Sequence, residues 1–125
     1  MKVDDVAVAR GLAASRLAVG LVATVAPGLA LKPWLGPDAA GAGTRTLGRM
    51  FGARDAVLGA GALWALQDGS SRDASRWIRL SAACDAVDAT GSALLAGRLR
   101  NPLTYAVAAT GVAACVAGFR TAARL

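Results

Sequence analysis

The 125 residues make one compact domain and are too few for two, and 55% of them are apolar, with a mean hydropathy of +0.47. Only 18% are charged, against about a quarter in ordinary soluble domains, and Ala and Gly dominate, so a soluble fold would need a core of unusually small side chains. The net charge of +6 sets Arg and two Lys against Asp alone; without His or Glu, and with two lone Cys, there is no zinc, haem or redox-metal ligand set and no cofactor is expected.

The start, Met1-Lys2-Val3-Asp4-Asp5, is acidic, and Arg10 and Arg16 interrupt the apolar stretch behind it. A cleavable signal peptide begins basic and has a short apolar run before its small-residue cleavage site. The segment therefore predicts an uncleaved first helix over about 6–26, ended by Pro27-Gly28. Leu29 to Gly43 holds Pro33, Gly36, Pro37, Gly41 and Gly43 and reads as a connection. Within it, Lys32-Pro33-Trp34-Leu35 suits a membrane interface, where indole rings prefer to sit. A second helix is expected over about 44–66, closed by the polar turn Gln67-Asp68-Gly69-Ser70-Ser71-Arg72. A third covers about 74–97, with Trp77 near its start as another interface anchor. Arg98-Leu99-Arg100-Asn101-Pro102 closes it, and Pro102 fits the first turn of a last helix over 102–119.

Each segment is near the ~20 residues that a bilayer core demands, and no strand alternation is visible. The expectation is an all-α, four-transmembrane-helix antiparallel bundle, multi-pass in the cell membrane. Small residues would let its helices approach closely. Leu103 to Phe119 is free of charge; charges in the other three segments must face inward or snorkel from the ends. An even number of spans puts both termini on one side. With the termini cytoplasmic, Lys2, Arg72, Arg76, Arg120 and Arg124 lie inside, against Lys32, Arg45, Arg98 and Arg100 outside. Basic residues spread through every connection, not gathered into a stripe with aromatics, fit lipid head groups and not nucleic acid.

Counting back from the turns places Arg16, Asp55, Asp85 and Asp88 at one depth on three different helices. The faces agree. Gly48, Gly52, Asp55 and Gly59 share one face of the second helix, and Ser81, Asp85, Asp88 and Ser92 share one face of the third. On the first, Arg16, Gly20 and Thr24 line up at fourfold spacing. Arg54 lies about 100° round the helix from Asp55 and either reaches the same site or points elsewhere. Arg49 either snorkels or joins the layer. Cys84 and Cys115 also share a depth, as small fillers and not as a redox pair. Two Asp one turn apart in a low-dielectric site resist ionising together and titrate as a unit. Such a pair can supply a general acid and a general base. Asp55, Asp85 and Asp88 are thus the candidate catalytic residues, with Arg16, Arg49 and Arg54 orienting them or binding substrate.

Gly48-Arg49-Met50-Phe51-Gly52-Ala53-Arg54-Asp55-Ala56-Val57-Leu58-Gly59, and Trp77 followed by Cys84-Asp85-Ala86-Val87-Asp88-Ala89, resemble signatures of a family of small four-helix bacterial membrane proteins with a domain of unknown function. The resemblance spans nearly the whole chain and implies the four-helix membrane fold. It draws attention to Arg49, Arg54, Asp55, Asp85 and Asp88, and implies no activity, substrate or cofactor.

Three functions fit. The first is a small membrane enzyme that uses carboxylate acid/base catalysis on a lipid-soluble substrate, opening an epoxide, cyclising a polyene or shifting a double bond. The second is an accessory or assembly subunit in which the charges only fix helix pairing and the Gly seams bind a partner. The third is a small oligomeric exporter, though Arg16 stands where such exporters carry a membrane Glu. The expected partners are the bilayer, a hydrophobic small molecule and, compatibly with the Gly seams, further copies of the chain.

Overall fold

A computed structural model describes residues 3–125. Met1 and Lys2 lie outside the described residues, and with them the Lys2 charge in the inside count. The elements are α1 (Val3–Val25), α2 (Pro27–Leu35), a 3-10 turn (Gly36–Ala40), α3 (Ala42–Gln67), α4 (Ser71–Leu99) and α5 (Pro102–Ala122). No strand occurs among the described residues, and the fold is all-α. All four expected helices are present, as α1, α3, α4 and α5, each end within three residues of its expected place.

The segment read as a connection is mostly helical, which corrects the four-helix count to five. Ala26, at φ −126° and ψ 63°, breaks the axis of α1. Pro27 then takes the first position of α2, where its missing N–H forfeits no helical bond. Gly36 ends α2 at φ +59°, its N–H donating to the Lys32 carbonyl. A Pro at the front and a Gly at the back are helix caps here, not loop residues. The Trp34 carbonyl accepts from Thr104 Oγ1 at 2.7 Å and from Asn101 Nδ2 at 3.3 Å, which ties α2 to the start of α5.

The other turns match their chemistry. Gly69, at φ +73°, makes the reversal after α3. Ser70 then caps α4, its Oγ accepting from the Asp73 N–H and donating to the Asp73 carboxylate at 2.8 Å. Asn101 caps α5 by accepting from the Leu103 N–H at 3.1 Å.

The helices pack antiparallel in two close pairs, α1 with α3 and α4 with α5. Between α1 and α3 the backbones touch. A Cβ added at Gly52 would lie 2.5 Å from the Thr24 nitrogen, and one at Gly59 would lie 2.6 Å from the Leu17 nitrogen. Between α4 and α5, Gly111 sits on Ala89 and Gly118 on Ala82. α3 meets α4 where the Trp77 indole covers Gly61, so Trp77 packs inside the fold, half-buried, where an interface anchor was expected.

The core is built largely of alanine. Ala9, Ala13, Ala62, Ala74 and Ala122 join Leu66 and Ile78 in one cluster, and the largest fully buried side chains are Thr104 and Ser92. Large apolar side chains point outward instead, among them Val22, Met50, Trp64, Val87, Leu94 and Val116. Two helices are long and apolar enough to cross a membrane, α1 over Asp4–Val25 and α5 over Pro102–Ala122. α3 and α4 fall short of that mark; both carry charges at mid-length, including Arg54, Asp55, Asp85 and Asp88.

Candidate functional site

Five of the six residues singled out in the sequence meet. Arg16, two-thirds of the way along α1, donates from one terminal nitrogen to Asp55 Oδ1 at 3.0 Å and from the other to Asp85 Oδ1. Arg54 resolves the question of its direction by curling back over its neighbour. Its Nε and one terminal nitrogen reach Asp55 Oδ1 at 3.1 and 3.0 Å. Its two terminal nitrogens also clasp both Asp88 oxygens, at 3.2 and 2.5 Å. The Phe51 ring, one turn earlier on α3, supports that guanidinium from 5.1 Å. The result is an alternating chain, Asp85–Arg16–Asp55–Arg54–Asp88, across α1, α3 and α4. Arg49 does not join it: the residue is exposed and makes no salt bridge among the described residues.

The helix faces explain the convergence. Gly52 and Gly59 lie in backbone contact with α1, so Asp55 between them is drawn into the same seam. Gly20 faces it from α1, and Arg16, one turn before Gly20, falls beside Asp55. On α4, Ser81 and Ser92 are buried and bracket Asp85 and Asp88 on one inward stripe. Burial is graded along the chain. The Arg16 and Asp85 side chains are 12% and 13% exposed, whereas Arg54 and Asp88 are 29% and 30% exposed.

Three carboxylates face two guanidiniums. Helix pairing alone would be served by two against two, so one carboxylate is in surplus. The layer is neutral in total when it carries one proton. Asp55 Oδ1 accepts from both arginines, while Asp55 Oδ2 and Asp85 Oδ2 have no hydrogen bond among the described residues.

Two cavities flank the layer. The smaller, about 250 Å³, lies between α1, α4 and α5 and is lined by Leu12, Arg16, Ile78, Ser81 and Gly118 among others. The larger, about 330 Å³, lies towards α2, with Leu31, Trp34, Phe51, Ser92 and Val107 in its walls. Asp55 and Asp85 line both. The larger volume falls at the lower end of small-molecule sites and the smaller just below it.

No protein-family model, curated protein or solved structure matches the chain. What the layer does must be read from its own geometry.

Two polar groups of the larger cavity escaped the sequence reading. Trp34, expected as an interface anchor, is half-buried, and its Nε1 is buried without a hydrogen-bond partner. Ser92, expected as a member of the polar stripe with Asp85 and Asp88, is 1% exposed and its Oγ is likewise unpartnered. The i, i+4 relation to Asp88 placed Ser92 on the polar stripe. Nothing placed Trp34, because α2 itself was not expected. Cys84 and Cys115 are half-buried free thiols, and Cys115 lines a separate groove between α4 and α5.

Proposed function

We propose that the chain is a small enzyme of the cell membrane whose Asp/Arg layer performs acid/base chemistry on a lipid-soluble substrate. The observation that carries this is the placement of the layer on cavity walls. Charges serving only as glue would be sealed in close packing, whereas Asp55 and Asp85 border about 250 Å³ on one side and about 330 Å³ on the other.

Membrane residence is supported by the inverted distribution of side chains. Alanine fills the core while Val22, Met50, Val87 and Val116 face out from four different helices. In water that arrangement would leave large apolar side chains exposed on every long helix; in lipid it is the expected one, with small residues at helix contacts. We read α1, α3, α4 and α5 as four spans, with the termini cytoplasmic beside Arg72, Arg76, Arg120 and Arg124. The segments that resemble the small four-helix bacterial membrane proteins, 48–59 and 84–89, supply four of the five charged residues of the layer, which supports placing the chain with that family.

The surplus carboxylate gives the chemistry its direction. With one proton aboard, one carboxyl group donates to a substrate oxygen or alkene as the bond breaks or the cation forms. A second carboxylate takes a proton from the attacking water or from carbon, so the site returns to its starting charge. The arginines hold both carboxylates in place. Epoxide opening, cyclisation and double-bond shift all fit this balance. A specific observation also favours the accessory-subunit reading: the largely apolar groove between α4 and α5, lined by Ala86, Thr90, Ala93, Leu94, Val112 and Val116, would suit a partner helix.

The test is a trap. The parent and Asp55→Asn proteins are purified from the same membranes, extracted with organic solvent and analysed by mass spectrometry. The Asn variant is expected to retain a lipid-soluble compound that the parent converts, with the mass gaining one water for epoxide opening or unchanged for isomerisation. Identical extracts, unaltered by added parent protein, would shift the assignment to an accessory subunit.

A further inference from the structure

Two residues in the walls of the larger cavity each carry a buried polar group that the acid/base layer does not use. Hydroxyl groups on these helices ordinarily satisfy themselves by donating to the carbonyl four residues earlier, as Thr24, Ser81, Thr90 and Thr110 do at 2.8 to 3.0 Å. Ser92 breaks that habit. Its Oγ leaves the Asp88 carbonyl alone and has no partner, although the residue is 1% exposed. The indole N–H of Trp34, which can only donate, is buried and unpartnered on the same cavity. A buried donor left unsatisfied is costly, and two around one cavity point to something that fills it.

We infer that the larger cavity binds an uncharged lipid-soluble molecule through an acceptor oxygen, held by the Trp34 Nε1–H and the Ser92 hydroxyl. This inference rests on the acid/base reading of the site and narrows its substrate class. The acceptor is a carbonyl, ether or epoxide oxygen. An anionic head group is disfavoured by the surplus carboxylate on the cavity wall, and a charge of either sign by the apolar remainder, including Val19, Leu31, Phe51 and Val107. The volume of about 330 Å³ suits a compact molecule at the lower end of small-molecule ligands. Ser92 lies one turn beyond Asp88 on α4, so an oxygen held there sits about 6 Å along the helix from the carboxylate layer. The anchored end and the reacting end therefore belong to one compact molecule.

The probes are methyl octyl ketone and undecane, which have equal numbers of non-hydrogen atoms and differ in the acceptor. The full chain, labelled with nitrogen-15 at tryptophan, is placed in lipid nanodiscs, and Trp34→Phe assigns the Trp34 indole signal. The ketone is expected to move the Trp34 N–H downfield while the Trp64 and Trp77 signals stay put; undecane is expected to leave Trp34 in place. Ser92→Ala should weaken ketone binding about three- to tenfold and leave undecane binding unchanged. If both probes bind equally with the Trp34 signal unmoved, ordered water satisfies these donors and the inference fails, while the acid/base reading stands. If neither probe binds, the cavity is not a ligand site and both fall together.

Discussion

Arg16→Gln is expected to cost about 3–5 kcal/mol of stability, the largest loss from any single charge change in the layer. Arg16 is the sole cation paired with Asp85 among the described residues, and both side chains are close to nine-tenths buried. Without it, three carboxylates face Arg54 alone, and Asp85 keeps its burial with no counter-charge. The double variant Arg16→Gln with Asp85→Asn should recover most of the loss, because it removes the stranded charge along with its partner. Arg54→Gln should cost less, since Arg54 and Asp88 are about 30% exposed and water shares their charge. Thermal unfolding of the four proteins in one detergent checks the order. A melting temperature for Arg16→Gln equal to that of the parent would mean that the pair contributes nothing.

Gly52→Ala is the second large effect, expected at about 3 kcal/mol, at the upper end of overpacking costs. The added methyl would sit 2.5 Å from the Thr24 nitrogen and 2.6 Å from the Gly20 carbonyl oxygen. Both are backbone atoms, so no side chain can turn aside and the two helices must part. Parting them also draws Arg16, one turn from Gly20, away from Asp55. Gly59→Ala meets the Leu17 nitrogen and the Ala13 oxygen at 2.6 and 2.7 Å and should behave alike. Gly91 is the control. Nothing lies within 4 Å of a Cβ there, so Gly91→Ala should stabilise α4 by roughly 1 kcal/mol through helix propensity. Equal melting temperatures for Gly52→Ala and Gly91→Ala would show that α1 and α3 are not in backbone contact.

Much of this arrangement was legible because it is periodic. The i, i+4, i+7 rhythm of Gly48, Gly52, Asp55 and Gly59 marks one helix face, and that face is the seam with α1 at Gly52, Asp55 and Gly59 and with α2 at Gly48. The same rhythm put Asp85 and Asp88 on a stripe with Ser81 and Ser92, and all four turn inward. Depth counted from the turns then brought Arg16 to Asp55. What periodicity could not give is the reach of a long side chain. Arg54 starts about 100° away from Asp55 and returns over Phe51, whereas Arg49, equally flexible, stays exposed. Nor could breakers reveal α2, since a Pro that opens a helix and a Gly that closes one look in sequence like a loop. Missing α2 meant missing Trp34, and with it the far wall of the larger cavity.

The central claim is that one carboxylate of the layer is present for chemistry and not for cohesion. It is tested most directly by the melting temperature of Asp55→Asn in the lipid nanodiscs used for the parent. Asn keeps the shape, and its loss of charge leaves Arg16 with Asp85 and Arg54 with Asp88, two against two. The account predicts a melting temperature equal to or above that of the parent, as for a residue kept at a cost in stability. A fall as large as that of Arg16→Gln would contradict it, and would make the layer the bond that holds α1, α3 and α4 together.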